Sequence, residues 1–229
     1  YGPLAEDALS ESRAAAQGGV TSSLNYMRTG GYYMQKGGPY SQVYQEVLDI
    51  SKDRFYVDYA YHLAPLDRTH IGEIDMLIDK FGVTSFKIFM FYGGYGLHGA
   101  SNSQHEFLMA AISLSLHCEL AEILAAYTKM VEGGARQTDL DTWLTGVSND
   151  PECADCAPLA GLRAYSAARP PHSEGLAITI ASYLANETNC ANINLLHLTS
   201  RKAVEAALTM AKAFPHANFR REVTIAHLC

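Results

Sequence analysis

Apolar positions along the chain fall by turns into short β-branched or aromatic runs and longer stretches of helical period. Residues 6–17 have helical propensity and stop at Gly18-Gly19, after which 20–27 read as a strand. A Gly/Tyr-rich loop over 29–40 leads to a helix over 41–51, with Val43, Val47 and Leu48 on its apolar side, and then to an alternating aromatic strand over 54–63. Residues 71–81 place Ile71, Ile74, Met76-Leu77-Ile78 and Phe81 near the helical period. Residues 84–90 form a compact apolar run between Gly82 and Gly93-Gly94, the pattern of a buried strand. After a loop over 93–103, a helix over 105–111 runs straight into a strand over 112–117. A loop of several residues ordinarily separates such elements, so the boundary is unusually tight or residues are missing between Ala111 and Ile112. A helix over 120–131 closes at Gly133-Gly134 and a polar stretch fills 135–171. A helix over 173–187, a strand over 193–198, a helix over 200–214 with Ser200 as N-cap, and a strand over 219–225 complete the pattern.

About six strands alternate with helices, without hairpin signals, which predicts an α/β fold with a parallel sheet of βαβ units. Two architectures answer to that: the closed (β/α)8 barrel and the open doubly wound sheet. No G-x-G-x-x-G follows the first strand, so the dinucleotide-binding version gains no support. Gly93-Gly94-Tyr95-Gly96 lacks the lysine and Ser/Thr of a phosphate-binding loop and reads as a flexible active-site loop.

The 229 residues, 48% of them hydrophobic, suffice for one large domain or two small ones. A net charge of −7 and the absence of a basic run argue against nucleic acid as a partner. No segment approaches the roughly 18 uninterrupted apolar residues of a membrane span. The chain opens on Tyr1-Gly2-Pro3-Leu4, with neither an initiator Met nor a signal peptide, and stops on a strand-like run ending at Cys229, so both ends are expected to lie inside a longer protein. Five cysteines without an export signal suit free thiols and a reducing, cytoplasmic setting. Cys153-x-x-Cys156 is a solitary pair, two ligands short of a structural zinc site, and reads as a plain loop. Fourteen tyrosines suggest aromatic loops and an oligomer surface.

The central strand carries Lys87 among apolar neighbours. A buried ammonium is costly unless paired, neutralised or chemically changed, so Lys87 either snorkels outward or does chemistry. Two later strands end in histidine, His117 and His197. Taken singly, each is ordinarily a satisfied core or surface residue. In a parallel barrel, however, the C-terminal strand ends share one mouth, where imidazoles from successive strands can reach one metal ion.

These residues lie in a set of ordered motifs. Ser85-Phe86-Lys87-Ile88-Phe89-Met90-x-Tyr92 resembles the lysine motif of the dihydropyrimidinase and D-hydantoinase branch of the amidohydrolase superfamily. His117-Cys118-Glu119 resembles that branch's His-Ala-Glu, and the segment from Ala168 to Gly175 its Ser-Arg-Pro-x-x-x-Glu. His197-Leu198-Thr199-Ser200-Arg201-Lys202-Ala203 is similar to its second-histidine motif. Ser12 to Thr21 resembles the entry to its second barrel strand, and Arg221-Glu222-Val223-Thr224-x-x-His227 the segment after the sixth. The likeness covers nearly the whole chain.

The resemblance implies a partial (β/α)8 metal-dependent hydrolase barrel, about strands 2 to 6 or 7, with residues 1–229 forming part of one catalytic barrel. It implies two divalent ions, zinc foremost, bridged by Lys87 carboxylated to N6-carboxylysine, with His117 and His197 as ligands of one metal. A hydroxide between the metals would attack a cyclic amide, a dihydropyrimidine or hydantoin, with Tyr92 binding the substrate and the developing oxyanion. It also implies a homo-oligomer, dimer or tetramer. The family's first-strand His-x-His, its catalytic aspartate, its substrate-binding Ser and Asn and its small β-sandwich have no counterpart here, so this segment alone is expected to be inactive. An allantoinase- or dihydroorotase-like enzyme, a non-catalytic dihydropyrimidinase-related protein and a metal-free α/β binding module are the other readings. Lys87, His117 and His197 argue against the non-catalytic relatives, which lack them. His62 at a strand end is expected in a supporting or core role, and His227 likewise beside the site. His98, His105, His172 and His216 are expected in loops or at the surface, and Arg169 and Glu174 as a structural pair.

Overall fold

The computed structural model describes residues 4–30, 35–90, 113–135, 140 and 161–224. The 93–103 loop, the 105–111 helix, the Ala111/Ile112 junction, Tyr92, His98, His105, His227 and the Cys153-x-x-Cys156 pair lie outside them. The order is α1 (Leu4–Gln17), β1 (Ser22–Met27), α2 (Tyr40–Ser51), β2 (Asp58–Leu63), α3 (Arg68–Gly72), α4 (Ile74–Phe81), β3 (Phe86–Phe89), β4 (Leu114–His117), α5 (Ala121–Glu132), α6 (Gly161–Ala167), α7 (Pro171–Glu187), β5 (Asn192–Leu195), α8 (Arg201–Ala213) and β6 (Asn218–Arg221).

All six strands pair in parallel and stand in the sheet in chain order. A doubly wound sheet reverses its strand order at a switch point; this one never does, so it is an arc of the barrel type. Phe86, Ile88, Leu114, Leu116, Ile193, Leu195 and Phe219 are buried on one face, in a single core with Leu77 of α4, Ile178 and Ala181 of α7 and Ala203 and Ala207 of α8. The strand residues between them, Lys87, Phe89, Ser115, His117, Asn194 and Arg220, therefore occupy the opposite, inner face.

Two of the expected elements differ in kind. The single helix over 71–81 is two helices. Asp67 caps an earlier turn by accepting from the His70 amide (3.1 Å), and the break falls at Glu73, whose carboxylate accepts from the amides of Tyr40 (2.7 Å) and Ser41 (3.0 Å) at the start of α2. Helix α6 lies inside the polar stretch over 135–171, where no helix is expected, and none of its residues is buried, so no apolar face announced it. The strands are also shorter than expected, because pairing ends before the apolar runs do. β5 stops at Leu195, leaving His197 in the turn beyond it.

Helices α7 and α8 approach closely at Gly175, where a β-carbon would stand 3.3 Å from the Lys202 carbonyl oxygen. That approach brings the first turn of α7 against the start of α8 and matters for the site below. Phe86 is fully buried at the centre of the sheet. Phe86→Ala is expected to lower the unfolding free energy by about 3–5 kcal/mol, read from the midpoint of a urea denaturation curve.

Candidate metal centre at the strand ends

Parallel pairing delivers successive strand ends to one edge, and the residues there form a connected cluster. Tyr26 on β1 meets His62 on β2 edge-on at 6.1 Å and Phe89 on β3 at 5.2 Å. Phe89 meets His117 at 5.8 Å, and His117 meets the His197 ring at 4.5 Å. The Lys87 ammonium lies 4.8 Å from the centre of the Tyr26 ring and 4.4 Å from that of Phe89. No carboxylate pairs with Lys87 within ion-pair distance among the described residues, so two aromatic faces are its nearest compensation. Burial lowers its pKa, an effect opposed by the charge of Glu222 just past β6. Lys87 does not snorkel to an acidic partner.

His117 Nδ1 and His197 Nε2 are 2.9 Å apart. On its other side His117 Nε2 lies 2.7 Å from Glu119 Oε2. A carboxylate only accepts, so Nε2 carries the proton and Nδ1 turns its lone pair towards His197. Arg169 reaches the other oxygen of Glu119 at 3.8 Å and stacks its guanidinium 3.8 Å over the Tyr165 ring of α6.

The His197 backbone has φ 36, a left-handed conformation uncommon for a non-glycine residue and costing on the order of 1–3 kcal/mol. The turn is held on several sides. The Leu196 amide donates to the Leu116 carbonyl (3.1 Å) and the Leu198 amide to that of Glu222 (2.8 Å). The buried Glu174 carboxylate accepts from the amides of Thr199 (2.9 Å) and Ser200 (3.1 Å) and from their hydroxyls (2.9 and 2.8 Å). The expected Arg169–Glu174 pair is thus replaced by two separate contacts, since Glu174 faces the α8 cap while Arg169 turns to Glu119. A cavity of about 500 Å³ opens beside this cluster, walled by His117, Glu119, Arg169, Glu174, His197 and Thr199 among others.

Among the described residues no group of three His, Cys, Asp or Glu side chains gathers tightly enough to hold an ion. The donors present nonetheless fit one in part. Two nitrogens on a shared tetrahedral zinc, each about 2.0–2.1 Å from it, stand about 3.3 Å apart, so the observed pair needs to open by only a few tenths of an ångström. A carboxylate behind one imidazole is the usual support of such a ligand. Lys87 as an ammonium would repel a cation and could join the set only as neutral amine or after conversion to an anion.

The sequence-expected Lys87, His117 and His197 all belong to this edge, whereas Tyr92 lies outside the described residues. Tyr26 and Phe89 around the lysine, and the roles of Glu119 and Glu174, were not read from the sequence. The His-x-Glu spacing at a strand end was a signal for Glu119; nothing local marked Glu174. His216 sits in an exposed turn, as expected, whereas His172 lies in the first turn of α7, half-buried at 5.6 Å from Tyr127, rather than in a loop.

Burial first and Lys87 second lower the His62 pKa from the ordinary 6.5 to about 4, and burial first also lowers that of His197. The unfolded chain therefore takes up protons that the folded chain refuses. Stability from this source is complete above about pH 6.5 and declines towards about pH 4. Urea midpoints of the metal-free protein should fall across that window, and His62→Phe should flatten the fall. Glu119→Ala should release the fixed His117 tautomer, visible in ¹⁵N spectra of labelled histidine.

Neither a family model nor a curated protein matches the sequence. Solved structures do. A dihydropyrimidinase from Brevibacillus agri superposes with a TM-score of 0.72 at 20% identity, over 96% of this chain and 42% of that one. A D-hydantoinase from Bacillus sp. AR9 gives 0.72 and 20% over 100% and 44%, and another D-hydantoinase 0.73 and 22% over 96% and 42%. The chain thus has the fold of dihydropyrimidinase and D-hydantoinase structures, over less than half of their length.

Proposed function

We propose that this chain supplies part of one catalytic barrel of a metal-dependent cyclic amidohydrolase, opening the amide bond of a dihydropyrimidine or hydantoin. The observation that carries the reading is the convergence of His117 Nδ1 and His197 Nε2 at 2.9 Å on the edge that also bears Lys87, which has no acidic partner there among the described residues. His117 and His197 would hold one divalent ion, zinc by donor type, and Lys87 as its carbamate would bridge to a second. Bound there, such ions polarise a substrate carbonyl and make hydroxide available near neutral pH.

The chain's own residues prepare the place. Glu119 keeps the proton on His117 Nε2 and its lone pair inward, and Glu174 holds the His197 turn in its strained form. The aromatic faces of Tyr26 and Phe89 shield the lysine from water, and its lowered pKa favours the neutral amine that reacts with CO2. Tyr92 is assigned the substrate carbonyl and the developing oxyanion on the resemblance alone. The same reading brings a homo-oligomeric enzyme. The buried free thiol of Cys118 suits a reducing, cytoplasmic compartment, and no helix among the described residues is long and apolar enough to cross a membrane.

The test is an assay of the full-length protein against dihydrouracil, hydantoin and allantoin, with its metal content measured alongside. Hydrolysis of dihydrouracil or hydantoin by protein carrying about two divalent ions per chain is expected. Lys87→Ala should lose the ions and lower kcat/KM by more than about 100-fold, beyond the range of supporting residues. Undiminished metal content and rate in Lys87→Ala would overturn the assignment; preference for allantoin would move the enzyme to another branch.

A further inference from the structure

His62 is buried, with 7% of its surface exposed, and its Nδ1 has no hydrogen-bond partner among the described residues. A buried nitrogen left in that state is costly unless something absent from the bare chain completes it. Its surroundings say where that something lies. Leu63 is the register partner of Phe86, and both face the helices. His62 and Lys87, each one step from that pair, consequently share the inner face on adjacent strands. Both also lie against Tyr26: its ring meets the imidazole edge-on at 6.1 Å and the ammonium at 4.8 Å. An unmodified ammonium repels a charged His62 and meets Nδ1–H as donor facing donor; in the other tautomer it could donate to the Nδ1 lone pair, but no such bond is formed.

We propose that His62 is a positioning residue for carboxylated Lys87, its Nδ1–H donating to a carbamate oxygen. The inference rests on the carbamate reading of the metal centre above. In the step concerned, the lone pair of the neutral Lys87 amine forms an N–C bond to CO2. One C=O π pair moves onto oxygen as the carboxylate, and the nitrogen loses one proton to water. The product places two acceptor oxygens, one of them ionised, at the end of the side chain, where the ammonium had donors only. His62 Nδ1–H then gains an ionised acceptor, a bond about twice as strong as a neutral one. Strand β2 thereby supplies the second support of the metal bridge, as Glu119 supports His117 from beyond β4.

The experiment measures ¹³C-bicarbonate incorporation into the full chain with zinc present, read as a carbamate signal by ¹³C NMR, so that no turnover is involved. Unmutated protein should take up one label, which Lys87→Ala abolishes. His62→Phe keeps the ring shape without a donor and should need about 10-fold more bicarbonate or greater for half-occupancy. His62→Asn, whose side-chain amide stands near the former Nδ1, should recover most of the difference. Equal labelling of His62→Phe and unmutated protein overturns the role of His62 and leaves the carbamate standing. Loss in both His62→Phe and His62→Asn also overturns it, because restoring a side-chain N–H donor would then not restore the carbamate. Absence of label in unmutated protein overturns this inference together with the carbamate reading. Should His62→Phe fail to fold, the ¹⁵Nδ1 resonance of His62 in the unmutated protein decides the matter. It should shift when the label enters, and an unmoved resonance overturns the proposal.

Discussion

Parallel pairing forces every strand of this sheet to end on the same edge, and the rest of the molecule follows from that constraint. Because side chains alternate across a strand, the apolar half of each one goes to the helices and the other half to the inner face. Tyr26, His62, Lys87, Phe89 and His117 need no individual device to bring them together; sheet order and register do it. His197 is the exception. It lies past the end of β5, and its place is set by a turn with a left-handed backbone that the sheet alone would not hold.

That exception explains where the fold concentrates its buried polar groups. Glu174 accepts four hydrogen bonds from Thr199 and Ser200, satisfying amides at the start of α8 while pinning the turn that carries His197. It can do so because Gly175 lets α7 close on α8. Glu119 plays the corresponding part for His117, and Arg169 balances its charge while resting on Tyr165. Each imidazole is therefore held by a carboxylate from a different direction, one through the ring and one through the backbone. Such support keeps two nitrogens converging, which mutual attraction of two neutral imidazoles would do only weakly.

Around the lysine the logic is the opposite. Tyr26 and Phe89 provide rings in place of carboxylates, and burial lowers the pKa of Lys87 and of His62 alike. Two basic groups that resist protonation, on the inner face of adjacent strands, are costly for a chain that only needs to fold. They suit the carbamate proposed for Lys87.

How much of this could be read in the chain alone depends on the range of the interaction. Strand and helix alternation, the Ser200 cap, the place of Lys87 within a strand and that of His117 at a strand end are local, so periodicity and flanking glycines were enough. The likeness of Lys87, His117 and His197 to a hydrolase motif was legible for the same reason, since each sits in a short run with its own spacing. Strand order was not: the alternation fits both a barrel and a doubly wound sheet, and only sequential pairing across the chain separates them. Nor could the partners of Arg169 and Glu174 be read, because two charges five residues apart look paired until the packing of α7 on α8 turns one towards a turn and the other towards Glu119. The break at Glu73 likewise answers to α2, a helix more than twenty residues earlier in the chain. Local chemistry named the candidate residues; the contacts that aim them join positions far apart in the chain, and those exist only once it has folded.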